Sequence, residues 1–240
     1  MSGNLDSFVS SSRPPPAASA TSQEIRDRSS TFVATIYRAS SPRLAREAIN
    51  HHKNVVHASK PASHEIAAWR CMVLKPGKTG LSESIEDDFE LSTGWDDDGE
   101  RFGGVKILKT MEAEGIIDAV VIVSRWYGGI MLGPARFEHM ETCTREVSRT
   151  FKLTDELEET ITTIRSLDDI LADLRREYAS LSSSETQGEG TTDNGAEKKR
   201  PTVDYSAIMQ EKDLKKARRL ITARENSIKS VKALIAKKNQ

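Results

Sequence analysis

The sequence has little net charge, only two cysteines and no long hydrophobic run. The formal net charge of the 240 residues is -1, which excludes a strongly basic nucleic-acid-binding protein, so binding has to be argued from local patches. Cys71 and Cys143 show no CxxC or Cys/His spacing, and therefore indicate neither a disulfide framework nor a zinc site. No apolar run approaches the length of a membrane span, and the N-terminal residues lack the hydrophobic segment of a signal peptide. We expect a protein of the cytoplasm or the nucleus.

Familiar catalytic motifs are missing as well. The sequence contains no HExxH and no GxSxG, and its five histidines lack a metal-ligand spacing. The stretch PGKTG at Pro76–Gly80 is not a phosphate-binding P-loop, because the required first glycine would fall at Met72. We predict no metal and no cofactor, and the sequence favours a non-enzymatic protein.

The chain divides by composition, beginning with a Ser/Pro/Ala-rich segment at 1–27 that we predict to be a disordered arm. Residues 28–152 carry strand and helix patterns: TFVATIYRA, HEIAAWRCMVL and IIDAVVIVSRW are typical of strands. Ser41 followed by Pro42 predicts a helix start, and further helices are expected at 104–114 and from Pro134 to about Thr150. The polar stretch at 75–99 predicts a surface loop. This order predicts an α/β fold, a two-layer sandwich with a mixed sheet and helices on one face.

The C-terminal part has a helical pattern without a globular one. Apolar residues from Leu157 to Leu181 recur at heptad-like spacing, which predicts an acidic amphipathic helix at 153–182. A Gly/Ser/Thr-rich stretch at 183–203 predicts a flexible linker, and 204–240 predicts a basic amphipathic helix. Because the two helices have opposite charge, we expect a coiled coil, formed within one chain or between two chains of a homodimer.

The motif SRWYGG follows the most apolar strand, so Arg125, Trp126 and Tyr127 should emerge at the sheet edge before Gly128 and Gly129 turn the chain. A second turn at Gly133-Pro134 then starts a helix, whose free N–H groups favour an anion. A guanidinium, two aromatic rings and a helix start in one loop suit a phosphate, a nucleotide or an acidic peptide. The alternative is structural: aromatic rings in the core, an arginine paired with a carboxylate, and glycines required by the backbone.

The acidic turn Asp96, Asp97, Asp98, Gly99 and Glu100 precedes the predicted helix at 104–114. Capping of that helix explains at least one aspartate. The alternatives are a divalent-metal site and pairing with Arg125. An EF-hand does not fit, because Gly94 and Val105 stand where it needs ligands. Likewise, His64 at the start of a strand is either a general base or a hydrogen-bonded structural residue.

The spacing of these motifs resembles the Impact family of translation regulators and its bacterial relatives. The resemblance rests on WDDDGE at 95–100, then a helix, then GIIDAVVIVSRWYGGIMLGPARF, with S-x-F at 30–32 and A-S-H followed by A-W-R at 62–70. It implies a two-layer α/β domain like those of a ribosomal protein and a translocation factor. The positions that it singles out are His64, Asp97, Asp98, Gly99, Glu100, Arg125, Tyr127, Gly128, Gly129 and Gly133.

Two loops depart from the bacterial pattern. Arg101-Phe102-Gly103-Gly104 replaces P-A-G-T, and Gly133-Pro134-Ala135-Arg136-Phe137 replaces G-T-G-G-L. The eukaryotic regulators resembled here also have an N-terminal module that competes for the activator of the amino-acid-starvation kinase, and the arm at 1–27 is too short to contain it. Bacterial members end in a small α/β domain, where this chain has helices.

From these features we expect a non-enzymatic regulator in translational or stress control. Its RWYGG loop would bind RNA, the ribosome or a protein partner, with no membrane contact. The alternatives are a metal-dependent hydrolase that uses Asp97, Asp98, Glu100 and His64, and a scaffold that acts through its helical tail.

Overall fold

A computed structural model describes residues 14–183 and 203–238 of the chain. The chain forms two compact units, Met1–Phe151 and Lys152–Gln240. Within the described residues, no helix combines the length and the apolar composition needed to cross a membrane.

The first unit is built on a six-stranded sheet. Its strands are β1 Ala18–Thr21, β2 Ile25–Asp27, β3 Ser30–Arg38, β4 His64–Leu74, β5 Phe89–Asp96 and β6 Ala119–Trp126. The strand order is β1-β3-β6-β4-β5, and β2 pairs with the same strand, β3, as β1 does. Each of these pairings is antiparallel. The predicted mixed sheet is therefore wrong in this detail, because β6 lies between β3 and β4 and keeps those two parallel strands apart.

The helices of the chain lie between and after the strands. They are α1 Pro42–His51, α2 Ile85–Asp88, α3 Gly103–Ala113, α4 Ala135–Ser183, α5 Ser206–Glu211 and α6 Leu214–Lys238, with a π-helical turn at His52–Val56 directly after α1. The predicted start of α1 is confirmed, since the Ser41 side chain accepts a hydrogen bond from the Leu44 N–H at 3.3 Å and Pro42 opens the helix.

Helices cover both faces of the sheet. On one face, Ile107 of α3 and Met140 of α4 pack in a core with Val121 and Val123 of β6. On the other face, the α1 alanines pack in a second core with Val120 and Ile122 of β6, together with Tyr37, Ala67 and Trp69. Because successive strand residues point to opposite faces, the all-apolar β6 supplies both cores. The predicted α/β fold with a helical tail is confirmed, but helices on only one face were a wrong expectation.

Two further expectations for the first unit are corrected. The arm predicted to be disordered at 1–27 contains β1 and β2, whose backbones complete the hydrogen bonding of the β3 edge; residues 1–13 lie outside the described part. The loop predicted at 75–99 contains α2 and β5. Strand β5 lies at the edge of the sheet and is mostly exposed, so its sequence lacks the apolar pattern of a buried strand. Its Gly94 lies under the Trp69 ring, where a Cβ would come within 2.2 Å of a ring carbon.

The second unit is helical. Leu157, Ile161 and Ile164 of α4 form a buried cluster with Tyr205, Ile208 and Ala217. Charged side chains border the cluster: Asp168 accepts from Arg224 at 2.5 Å, and Arg218 pairs with Glu156. Helix α4 includes both the helix expected from Pro134 and the acidic helix at 153–182. The basic helix predicted at 204–240 is instead two helices, separated where Lys212 adopts a positive φ of 51°. Residues 184–202 of the predicted linker lie outside the described part.

Candidate functional site

A cavity of about 350 Å³ lies where β4 begins and β6 ends. It is lined by His64, Glu100, Arg125, Tyr127, Met131, Leu132, Gly133 and Arg136. Strand pairing brings two of the lining residues together, since His64 and Arg125 lie directly opposite each other on the antiparallel strands β4 and β6. Cross-strand partners share one face of a sheet, so both side chains lie on the face that packs against α3 and α4.

The buried carboxylate of Glu100 joins two arginines in this cavity. Its Oε2 pairs with Nη1 of Arg125, and its Oε1 accepts from Nε of Arg136 at 2.6 Å. Arg136 also donates from Nη1 to the carbonyl of Gly133 at 2.5 Å. Glu100 and Arg125 are 6% and 5% exposed. The pairing of the acidic turn with Arg125, one of the three sequence alternatives, is therefore what the structure shows for Glu100.

Two positive charges face one negative charge in this group, and the pairing is incomplete. Within the described part of the chain, the buried Nε of Arg125 has no hydrogen-bond partner. An unpaired N–H in a buried position costs free energy unless a bound group accepts from it.

His64 completes the polar wall of the cavity. Its Nδ1–H donates to the carbonyl oxygen of Asp98 at 2.8 Å, which leaves Nε2 3.9 Å from Oε2 of Glu100. Gly99, with a φ of +85°, passes beside this ring, and a Cβ there would be 3.4 Å from Nδ1. The acidic turn thus holds the imidazole in one orientation.

The two aromatic residues of the RWYGG loop point in different directions. Tyr127 lines the cavity at about half exposure, and its ring centre is 5.4 Å from Cζ of Arg125. Trp126 lies away from the cavity: its ring packs edge-on against His57, and its Nε1 donates to the Lys60 carbonyl at 3.3 Å. Of the two predicted stacking faces, only the one on Tyr127 belongs to this cavity.

The predicted glycines serve the backbone of the loop. A Cβ on Gly128 would lie 2.1 Å from the backbone of Ser29, so no larger residue fits there. Gly129 and Gly133 have φ values of +86° and +59°, which favour glycine. Gly133 also lines the cavity, whereas Gly128 and Gly129 shape the loop around it.

The three aspartates of the acidic turn each have their own structural partners. Asp97 accepts from the N–H groups of Gly104 and Phe102 at 2.8 and 3.1 Å, and so caps the start of α3. Asp98 accepts from the ammonium group of Lys53 and from the Glu65 N–H, and Asp96 accepts from the Asp98 N–H. Backbone and lysine contacts occupy these carboxylates, so the geometry favours capping over a metal site or a hydrolase centre in this turn.

Sequence reasoning missed two features near this position. One is Arg136, which reaches back from the first turn of α4 to Glu100; its signal was the departure of 133–137 from the resembled pattern. The other is a cluster of His52, His57 and Glu65, of which His52 and Glu65 are buried; these residues show no ligand motif in the sequence but lie together in the structure.

The histidine–glutamate cluster lies on the opposite face of the sheet. Glu65 accepts from the Ser124 hydroxyl at 2.6 Å and contacts Nδ1 of His57 at 2.6 Å. His52 bonds to the Tyr37 hydroxyl through Nδ1 at 2.7 Å and to Ser124 through Nε2 at 3.1 Å. Burial, with a smaller contribution from the neighbouring histidines, lowers the pKa of His52 to about 4. Burial and the charge of Glu65 raise the pKa of Tyr37 to about 12.

Comparison with known proteins gives one family. The model described as the Impact N-terminal domain matches residues 28–148. The chain is 33% identical to Protein IMPACT of Danio rerio over 139 residues, which are 58% of this chain and 39% of that protein. It is 35% identical to Protein IMPACT of Homo sapiens over 124 residues, or 51% and 34% of the two chains. The chain therefore spans well under half the length of these relatives.

Two solved structures also resemble the chain. One, the two-domain translational regulator Yih1, is 28% identical with a TM-score of 0.36, and the match covers 57% of this chain and 47% of that one. The other is a hypothetical protein, 20% identical with a TM-score of 0.40, and the match covers 56% and 59% of the two chains.

Proposed function

Because the match over residues 28–148 shows that the chain belongs to the Impact family, we propose that it is a regulator in translational or stress control that binds RNA. The site is the cavity between β4, β6 and the start of α4. An unpaired nucleotide of an RNA strand would enter it, with its phosphate against the arginines and its base against Tyr127. The observation that carries this proposal is the buried, incompletely paired guanidinium of Arg125 next to an exposed aromatic ring.

The charge of the cavity favours an anion. Arg125 and Arg136 together exceed the single carboxylate of Glu100, and low solvent exposure strengthens the attraction of the excess charge. Glu100 holds both guanidiniums in place before a ligand arrives, which lowers the entropy cost of binding.

The rim of the cavity is apolar and exposed. Tyr127 is 46% exposed, and Met131 is 82% exposed on the loop that leads into α4. A base stacked on an aromatic ring contributes about 1–3 kcal/mol to binding of single-stranded nucleic acid. A volume of about 350 Å³ is at the small end for ligand pockets, which suits one nucleotide rather than a duplex.

The test uses the full chain and a fluorescently labelled single-stranded RNA, with affinity measured by fluorescence anisotropy at several salt concentrations. Tyr127→Ala should weaken binding by about 5- to 150-fold, the equivalent of one lost stacking contact. Arg136→Ala should weaken it and lower the salt dependence by about one charge. Arg136 is the better arginine to replace, because the Arg136→Ala protein keeps the buried ion pair between Glu100 and Arg125.

Arg43→Ala is the matched control, because this arginine pairs with Glu47 on the surface of α1, away from the cavity. It should leave RNA affinity unchanged. If Tyr127→Ala and Arg136→Ala bind RNA as the wild type does, the cavity is not the RNA site. Sedimentation with ribosomes in cell extract, at low and high salt, extends the test: loss of comigration in these two variants supports a ribosomal RNA site. A protein that stays in the light fractions at every salt concentration would instead favour a protein partner.

A further inference from the structure

The face of the sheet that packs against α1 holds three side chains with metal-binding atoms. One ligand atom each from His52, His57 and Glu65 lie within 4.8 Å of one another. We propose that these three residues bind a divalent transition-metal ion of the zinc type. The site is separate from the cavity proposed for RNA, because Glu65 and His64 are consecutive strand residues that point to opposite faces.

The ligand set fits zinc rather than a hard cation. Two imidazoles and one carboxylate are a frequent three-residue set for zinc with one open coordination position, whereas magnesium and calcium prefer oxygen ligands alone. In a tetrahedral zinc site, metal–ligand distances near 2.0–2.1 Å place ligand atoms about 3.3 Å apart. Nε2 of His52 is already 3.7 Å from Oε2 of Glu65. Nδ1 of His57 is 2.6 Å from the other carboxylate oxygen, Oε1, so an ion bound to a single oxygen requires a shift of the carboxylate or of the His57 ring, which the partly exposed position of His57 allows.

The backbone makes a special turn that brings the two imidazoles together. After α1 the chain forms the π-helical turn His52–Val56, in which the His57 N–H donates to the His52 carbonyl at 3.0 Å, five residues back. The two rings are then 4.3 Å apart. In an α-helix the N–H of Val56, four residues after His52, would donate to the His52 carbonyl instead. π-turns inside helices are rare and are found frequently at functional sites.

The burial pattern of this turn is the reverse of the usual one. Val55 and Val56 are 61% and 48% exposed, whereas His52 is 1% exposed. A turn stabilised by the hydrophobic effect would bury the valines and expose the imidazoles. The π-turn therefore positions histidines at the expense of apolar burial, as expected for a binding site.

Glu65 also needs a positive partner. Its carboxylate is 2% exposed, and its described side-chain contacts are with imidazoles and the Ser124 hydroxyl. A buried carboxylate is costly unless a cation compensates it. A metal ion bound by the carboxylate and the two imidazoles supplies that charge.

Two further residues orient the ligands. The Tyr37 hydroxyl bonds to Nδ1 of His52, which presents the other nitrogen, Nε2, to the carboxylate. The Ser124 hydroxyl donates to Glu65 and holds the carboxylate beside His52, and its contact with Nε2 of His52 is replaced when that nitrogen binds the ion. Metal-binding histidines are commonly oriented in this way through their second nitrogen.

The experiment uses the full chain, stripped of metal with a chelator. Zinc binding is measured by calorimetry, and cobalt(II) is added separately to follow the visible absorption of tetrahedral coordination. Wild type should bind one ion per chain and melt at a higher temperature with zinc than without it. His57→Ala and Glu65→Gln should weaken binding by about 100-fold or more, and Tyr37→Phe by about 10- to 100-fold.

His139→Ala is the matched control, since this histidine is partly buried and also contacts a carboxylate, Asp27, but belongs to no group of three metal-binding side chains in the described part of the chain. The zinc affinity of the His139→Ala protein should equal that of the wild type. Circular dichroism checks the fold of each variant, and if His57→Ala fails to fold, Tyr37→Phe and the wild-type cobalt spectrum decide. A wild type that does not bind zinc at equimolar concentration overturns the proposal. So does zinc binding that is undiminished in Glu65→Gln and Tyr37→Phe, or a cobalt spectrum without tetrahedral absorption.

Discussion

Glu65 and Ser124 lie directly opposite each other on β4 and β6, one residue along from the pair formed by His64 and Arg125. One pair belongs to the histidine–glutamate cluster and the other to the arginine cavity. Asp98 contacts both, since its carbonyl accepts from His64 and its carboxylate accepts from the Glu65 N–H. The register of two central strands thus positions polar groups on both faces of the sheet at once.

The carboxylate of Glu100 should be a major source of stability for the cavity. Replacing it in Glu100→Gln leaves Arg125 and Arg136 without a counter-charge, and breaking a buried pair typically costs about 3–5 kcal/mol. Urea unfolding should show a loss of this size. Glu138→Gln, on the exposed side of the first turns of α4, should change the free energy of unfolding by less than about 0.5 kcal/mol. Equal free energies of unfolding for the two variants would show that the ion pairs of Glu100 do not stabilise the fold.

Two adjacent glycines in the loop should differ in their tolerance of alanine. Gly128→Ala places a Cβ against the Ser29 backbone, which must move, and we expect a loss of about 1–3 kcal/mol or more. Gly129→Ala meets no neighbour within 4 Å and should cost only the strain of a positive φ, about 1–2 kcal/mol. Thermal unfolding of both variants checks the order. A Gly129→Ala protein that is the less stable of the two would contradict the close approach to Ser29.

Both cysteine thiols should be unreactive in the folded protein. Burial raises the pKa of Cys71 to about 11 and also raises that of Cys143, so little thiolate forms near neutral pH. Labelling with a thiol reagent should be slow in buffer and complete in denaturant. Because the unfolded chain ionises its thiols at lower pH, stability should fall as the pH rises above about 9. Fast labelling of the native protein would show that one thiol is accessible.

Several elements could be predicted from the sequence because their signals are local. The Ser41-Pro42 start of α1, the alternation in β3 and the apolar run of β6 each reflect burial or capping within a few residues of the chain. The Impact resemblance, confirmed by the family match, rested on several short motifs and their order along the chain. By contrast, the strands β1, β2 and β5 were missed, because edge strands depend on a partner strand more than on their own pattern.

For the candidate sites, the sequence alone determined which residue types were available: an arginine and two aromatics at the end of a buried strand, an acidic turn and scattered histidines. Tertiary structure decided how they were used. It paired Glu100 with Arg125 and Arg136, turned Tyr127 into the cavity and Trp126 away from it, and gathered His52, His57 and Glu65. These outcomes depend on strand register and on a π-turn, which bring together residues distant in the chain, and local periodicity carries no information about such contacts.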